Sequence, residues 1–350
     1  MSIEKYYIIN LERWDMSTSY IGMKLGSTTT YIYKPGNGIV LREASLIAMS
    51  SNLRFKEVKA IGNDVKNLMG RTPENINIFS PIINGVIQYE EMAIQMLKGF
   101  LKKIFPVRKI GQNIKAVLCI PLGISPAEKK QLEIVCFKAG IADVFLVPDI
   151  ICYALGNGID IKSETSQLIV NIGGDTTNIA TISNYSIIKG YNFAIGGELI
   201  NIAIAKFIEE TYNMSVTLEQ VDKLKLEICS LFENYSASME ITGINQKTQS
   251  KEKITITSSE LYPIIRYYYG KIAEAINSII QDADPTVVED IAKNGIYFYG
   301  GSTRIVGLER FMSEQTKFKI HFSNISKSNI VGTGELIKYP QLLKRILKNN

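Results

Sequence analysis

A single histidine and a single tryptophan occur in a chain of 350 residues, and its four cysteines form no CxxC pair. One histidine, His321, cannot build a His-based metal site, and no cysteine cluster lies near it in sequence. Cys119, Cys136, Cys152 and Cys229 lie mostly within apolar runs and read as reduced core thiols of a cytoplasmic protein. No run approaches the roughly 20 apolar residues of a spanning helix. The N-terminus carries Glu4, Lys5, Glu12 and Arg13 without the apolar core of a secretory signal. The expectation is a soluble protein that can lie on a membrane without crossing it. A net charge of +5 is too modest to argue for nucleic acid, although it suits weak attraction to anionic lipid.

Hydrophobic residues make up 46% and charged residues 21%, enough apolar material for the cores of two domains and too little charge for disorder. From Tyr20 the pattern reads strand, turn, strand, with aromatic and β-branched residues around Gly26 and the Pro35–Gly36 turn. Apolar spacing predicts a helix over 89–104, and KAVLCI a strand over 115–120. Ser125-Pro126 with Glu128 starts a helix that stops at Gly140. A strand at 144–147 and a helix to 155 follow. The rhythm then repeats: strands at 168–172, 179–182 and 187–193, helices at 197–212, 218–232 and 260–282, a strand at 296–299 and a helix from 306–308. This weak duplication of a glycine turn, hairpins and helices implies two α/β domains.

Three short turns carry candidate chemistry: Leu25-Gly26-Ser27-Thr28-Thr29, Ile172-Gly173-Gly174-Asp175-Thr176-Thr177 and Tyr299-Gly300-Gly301-Ser302. Glycine lets a backbone approach a phosphate closely, and the amides and hydroxyls that follow can donate to phosphate oxygens. One such turn is usually an ordinary hairpin, but three in this order point to a nucleotide.

On these segments the chain resembles the actin, hexokinase and heat-shock chaperone superfamily, and within it the MreB family. IGMKLGSTTTYIYKPGNGIVL is similar to the family's opening, and GRTPENINIFSPIINGVI at 70–87 to its Gly-Arg-Thr-Pro and Asp-Gly-Val-Ile stretch, with Asn84 in place of the Asp. NIGGDTTNIATIS, KITITSSEL, GIYFYGGSTRIVGLERFMSEQT and VGTGE resemble the second phosphate turn, the adenosine turn and the closing region. The resemblance implies an α/β, actin-like duplicated fold, in which two α/β domains with mixed sheets flank a nucleotide cleft. After a leader over 1–19, domain I would take 20–160, with a small subdomain near 34–75, and be completed by 315–350. Domain II would take 161–314, with a small subdomain near 200–260.

The departures bear on the chemistry. Where the resemblance implies aspartates around a nucleotide-bound Mg²⁺, this chain has Lys24 and Asn171, which puts Mg²⁺ in doubt. The implied general base, usually glutamate, falls at Asp149, one methylene shorter, and a misplacement near 1 Å can cost about 100-fold in rate. Asp175 replaces a glycine that could serve a left-handed backbone, and Gly197 replaces the aspartate of a turn near the ribose. Thr176 and Thr177 are implied to face the terminal phosphate, and Lys225 or Glu227 the adenosine; two residues apart on a helix, those two do not share a face. An ammonium about 4 Å from a phosphate gains roughly 4 kcal/mol at an effective dielectric near 20, so Lys24 could neutralise a nucleotide in place of a metal. Hydrolysis would still suffer, because phosphoryl transfer needs a charge clamp and a positioned water together. The implied ligand is ATP or ADP, with GTP as the alternative.

FLKKIFPVRKIG mixes Phe100, Leu101, Ile104 and Phe105 with basic residues and suits an anionic membrane surface, or else a core helix end with a solvated loop. The tail LLKRILKNN, with Lys344 and Arg345, is a second basic amphipathic candidate or a frayed helix end. The resemblance further implies head-to-tail filaments, partnership with other actin-like paralogues, and a role in cell shape. A competent ATPase, a sugar kinase and a non-polymerising binding protein are the competing readings.

Overall fold

β-branched and aromatic residues alternating with small ones make Thr18–Leu25 (β1) a strand that turns Ile21, Met23 and Leu25 into an apolar core and Gly22 and Lys24 to the other face. The computed structural model describes residues 18–50, 57–68, 75–107, 111–322 and 328–350. Among these, the chain divides into two units. One takes residues up to Ser163, Ser183–Ile188 and the C-terminal stretch to Asn350; the other takes Glu164–Ile182 and the stretch from Lys189 to Phe322.

In the first unit, β1 pairs antiparallel with Thr29–Lys34 (β2), which pairs antiparallel with Gly38–Ala44 (β3). On its other side β1 runs parallel to Asn113–Ile120 (β9), itself parallel to Asp143–Pro148 (β10). A small sheet of Ile47–Ser50 (β4), Val58–Ile61 (β5) and Ile76–Phe79 (β6) lies between, followed by the hairpin of Ile82–Ile83 (β7) and Val86–Ile87 (β8). Asn84 and Gly85 turn that hairpin with φ of 53° and 72°, the left-handed pair that a two-residue loop requires. Helix Glu90–Ile104 (α1) buries Ala93, Ile94, Met96, Leu97, Phe100 and Leu101 against the sheet. Helix Pro126–Ala139 (α2) starts in a reciprocal Ser125–Glu128 capping box and ends at a left-handed Gly140, as the sequence predicts. Helix Asp149–Gly156 (α3) follows β10 directly.

The second unit repeats the plan. Gln167–Ile172 (β11) pairs antiparallel with Thr177–Ser183 (β12), next to Ser186–Phe193 (β13). On the other side β11 runs parallel to Ile296–Tyr299 (β17), which is parallel to Ile320–Phe322 (β18). Helices Gly197–Tyr212 (α4), Leu218–Ile228 (α5) and Ser258–Gln281 (α6) pack on this sheet, and Met214–Ser215 (β14), Ser238–Asn245 (β15) and Lys251–Thr257 (β16) form a three-stranded appendix. Two five-stranded sheets with the same order, a meander of three strands and then two parallel strands, confirm the internal duplication.

Three boundaries differ from expectation. The helix expected to reach 232 stops at Ile228, because Cys229 is extended and the Leu231 amide donates to Val306 at 2.8 Å. Residues 315–322 stay with the second unit, since β18 pairs with β17 and helix Pro285–Asn294 (α7) and helix Leu308–Thr316 (α8) flank that edge. Thr18 and Ser19, placed in the leader by sequence, already belong to β1; residues 1–17 lie outside the described residues, as do Arg108 and Lys109 and the Gly70–Pro73 stretch. Helix Ser328–Lys338 (α9) covers the Gly22 face of β1, and helix Pro340–Asn349 (α10) ends the chain.

Candidate functional site

In the second unit the glycine turns meet. The Gly173 amide closes its own turn on Thr176 at 2.8 Å. The first amides of α4 donate to that turn, Gly197 to the Gly173 carbonyl at 3.0 Å and Glu198 to the Gly174 carbonyl at 2.7 Å. The Ser302 hydroxyl donates to the same Gly173 carbonyl at 2.9 Å, and the Tyr269 hydroxyl donates to the Ser302 carbonyl. The bends at 173 and 300 are therefore one structure, while Gly26 belongs to the first unit. Gly174 and Gly301 have open space where a side chain would be, so a ligand can approach their backbone.

Gly300 has φ of 111°, and a Cβ there would lie 2.1 Å from the Ile172 carbonyl. A Cβ on Gly197 would lie 2.4 Å from Ser302 Oγ and 3.1 Å from Lys225 Nζ. A side chain at 197 would therefore have to displace the Ser302 hydroxyl and the Lys225 ammonium. Asp175 does not adopt positive φ, so a side chain at that position causes no backbone strain.

Several residues read as ligand contacts also hold the turn. The buried Thr177 hydroxyl donates to the Ile195 carbonyl at 2.6 Å. Thr176 is half-buried and accepts from Asn178 Nδ2 at 3.4 Å, leaving its hydroxyl proton available. Ser302 is 5% exposed and committed to Gly173. Lys225 is 2% exposed, and its three ammonium protons have three acceptors: Asn201 Oδ1 at 2.7 Å, Asp222 Oδ1 at 3.0 Å and the Gly197 carbonyl at 3.1 Å. Glu227, two positions on, is exposed and faces Lys223 at 3.8 Å. Asn171 is buried on β11, opposite Asn178. Sequence reasoning missed Asn201 and Asp222; their spacings of four from Gly197 and three from Lys225 were the available signal.

In the first unit the turn after β1 is closed by the Gly26 amide on Thr29 at 3.2 Å. Ser27 Oγ accepts from the Asn84 amide at 2.9 Å, while Thr28 is exposed and Thr29 half-exposed. Lys24 is half-buried, level with Cys119 on β9 and Tyr31 on β2. Asp149 is 6% exposed at the first turn of α3. Lys24 and Asp149 bear on one buried group: burial pushes the Cys152 thiol well above its ordinary value, the Cys119 hydrogen bond and the Asp149 carboxylate push the same way, and the Lys24 ammonium opposes them.

Among the described residues no group of three or more His, Cys, Asp or Glu could hold a metal ion. The resemblance implies carboxylates for a Mg²⁺ water shell; Lys24 in the first unit supplies a cation and Asn171 in the second an uncharged amide oxygen, so neither position supplies the implied carboxylate.

The membrane reading is corrected for three residues. Phe100, Leu101 and Phe105 belong to the buried core, and Ile104 packs against it. Lys103 is held by Glu43 at 2.8 Å, and among the described residues of this run Val107 is the exposed apolar one, at 84%. The C-terminal helix is docked rather than frayed: Leu343 and Ile346 are buried, and Arg345 lies over the Tyr185 ring at 4.1 Å and donates to Asn184 Oδ1 at 3.1 Å. Among the described residues no helix is long and apolar enough to cross a membrane.

The chain is 28% identical over 304 residues to the cell shape-determining protein MreB of Escherichia coli K12, covering 86% of this chain and 88% of that one. It is 27% identical over 319 residues to the cell shape-determining protein Mbl of Bacillus subtilis 168, covering 91% and 95%. Its structure is similar to MreB5 of Spiroplasma citri bound to AMPPNP, with a TM-score of 0.85, 26% identity, and coverage of 93% of this chain and 98% of that one. A MamK double helical filament shares the fold at a TM-score of 0.75 and 17% identity, covering 92% and 99%. The model of the MreB/Mbl protein family matches residues 18–345, and the chain belongs to that family of actin-like cytoskeletal proteins.

Proposed function

We propose that this chain is a filament-forming subunit of the cell-shape cytoskeleton that binds an adenine nucleotide through its glycine turns and hydrolyses it slowly or not at all. The observation that carries the reading is Lys24 two residues before Gly26, where a carboxylate for a metal's water shell is implied. An ammonium there neutralises phosphate charge directly, at roughly 4 kcal/mol per unit charge for a separation of about 4 Å at an effective dielectric near 20. Slow hydrolysis follows because Asp149 is short for a general base and the clamp lacks a carboxylate-held metal. Adenine is favoured over guanine because the similar MreB5 structures hold AMPPNP and ADP.

Head-to-tail self-assembly in the cytoplasm, with co-assembly alongside more active paralogues, extends the reading; such heterologous contacts propagate without closing. Contact with an anionic inner membrane surface is retained only through Val107 and the neighbouring Lys102 and Lys103. One observation favours a competent ATPase: Asp175 sits without backbone strain in the second turn and could return the carboxylate lost at Asn171.

The test measures phosphate release from Mg-ATP and pelleting, for the wild type and for Lys24→Asp with Asn171→Asp. The reading expects nucleotide-responsive pelleting by the wild type, and phosphate release that rises at least about tenfold in the double variant, the effect of one restored charge contact. Rapid phosphate release by the wild type would sink it.

A further inference from the structure

Cys119 lies near the end of β9 and Cys152 in the first turn of α3, and their side chains hydrogen-bond each other. Both thiols are free and buried, Cys152 completely and Cys119 at 5% exposure. Cys136 and Cys229 are buried free thiols as well. Burial pushes each of those two up to about 12, with Glu133 adding to the rise at Cys136 and Lys225 opposing it at Cys229. A second free thiol in direct contact is what separates the first pair from ordinary core cysteines, because it is the partner that disulfide chemistry requires.

Three neighbours give the pair a chemical setting. Lys24 stands level with Cys119 on the adjacent strand β1, and its ammonium opposes the rise that burial, the Cys119 hydrogen bond and the Asp149 carboxylate impose on the Cys152 thiol. An ammonium favours the thiolate, the form that reacts with oxidants. The Cys119 thiol donates to the Asn329 carbonyl at 3.7 Å, in the first turn of α9. Asn329 is 6% exposed, and its side-chain Nδ2 has no hydrogen-bond partner among the described residues, so this neighbour of the thiol holds an unused donor. Asp149 precedes Cys152 by three residues, which places both on one face of α3.

We infer that Cys119 and Cys152 form a reversible redox site, in which hydrogen peroxide oxidises Cys119 and Cys152 resolves it to a disulfide within the chain. Cys119 reacts first because it is the less buried of the two and stands level with Lys24. Its sulfur attacks a peroxide oxygen: an S–O bond forms, the O–O bond breaks, and the departing hydroxide takes up the thiol proton as water. The Cys152 sulfur then attacks the Cys119 sulfur: the S–O bond breaks, the S–S bond forms, and hydroxide leaves with the Cys152 proton as a second water. The two sulfurs are oxidised and one peroxide is reduced, and two equivalents of a small thiol restore both cysteines. The cross-link ties the first turn of α3, which carries Asp149, to β9 beside Lys24. Oxidation therefore reaches the candidate residues of the first unit without any ligand, and the inference stands independently of the nucleotide reading.

The experiment treats the folded full-length protein with hydrogen peroxide, alkylates the remaining thiols after denaturation, and maps the peptides by mass spectrometry with and without dithiothreitol. The expected result is a Cys119–Cys152 cross-linked peptide that dithiothreitol removes, with Cys136 and Cys229 oxidised at least about tenfold more slowly. In Cys152→Ala the reaction stops with one added oxygen on Cys119, whereas Cys119→Ala leaves Cys152 unmodified. Lys24→Met slows cross-linking severalfold. Hydrogen exchange of the α3 amides slows about tenfold in the oxidised protein and recovers on reduction. Oxidation of all four cysteines at similar rates, or of none until the protein is unfolded, identifies core thiols without special reactivity and overturns the inference. Cross-links between chains in place of the internal one overturn it as well. If an alanine variant does not fold, the wild-type peptide map and its exchange data decide the question alone.

Discussion

Gly300 shows how much of the site depends on single atoms. Its φ of 111° and the 2.1 Å from a built Cβ to the Ile172 carbonyl leave alanine two penalties. The backbone strain alone is about 1–3 kcal/mol. Gly300→Ala should lower unfolding free energy by at least that in urea titrations, whereas Gly301→Ala, with open space around its Cβ position, should not. The glycine turns were legible in the sequence because a glycine's backbone freedom is a local property. The side chains around them were legible only in part. Thr177 and Ser302 look like ligand hydroxyls in a one-dimensional reading, yet both donate to backbone carbonyls of neighbouring loops. Which face of a strand a residue occupies, and what carbonyl another loop brings there, is set by pairing register and not by composition.

Helix ends and helix faces tell the same story one level up. Pro126–Ala139 was readable end to end because its signals are local: Ser125, Pro126, Glu128 and Gly140. Ser125 Oγ accepts from the Glu128 amide at 3.3 Å, and Glu128 Oε2 accepts from the Ser125 amide at 2.6 Å. The Ser125 backbone amide, with its hydroxyl, holds the Glu128 carboxyl below its ordinary value. A lowered carboxyl pKa contributes stability above the unfolded value, near 4.3, that is lost as pH falls through the folded value. Ser125→Ala should therefore cost about 1 kcal/mol at neutral pH, with the gap to wild type narrowing in melts below about pH 4. The basic apolar run at 100–105 was ambiguous for a physical reason. Apolar residues at helical spacing beside lysines describe equally a helix lying on lipid and one seated on a sheet, and only the presence of β1 and its neighbours on that face decides. The same holds for the C-terminal helix, whose Leu343 and Ile346 are buried.

At the level of the whole molecule, repetition was the most informative signal. Two glycine-turn sheets 147 positions apart in sequence, at Gly26 and Gly173, predicted two units of like topology, and both sheets have it. The chain returns to the first unit after β18, later than the sequence pattern suggests, because the pairing of β18 with β17 is a non-local contact. The proposed function rests on charge: Lys24 and Asn171 stand where the resemblance implies aspartates. The account turns on whether nucleotide charge is met by the protein instead of a metal. The most direct test is ADP affinity measured by calorimetry with Mg²⁺ and again with EDTA, alongside Lys24→Asp. The account predicts wild-type affinities equal within about twofold in the two conditions, and weakened binding with a new Mg²⁺ requirement in Lys24→Asp. Wild-type binding that collapses on chelation, or that is untouched by Lys24→Asp, would contradict it.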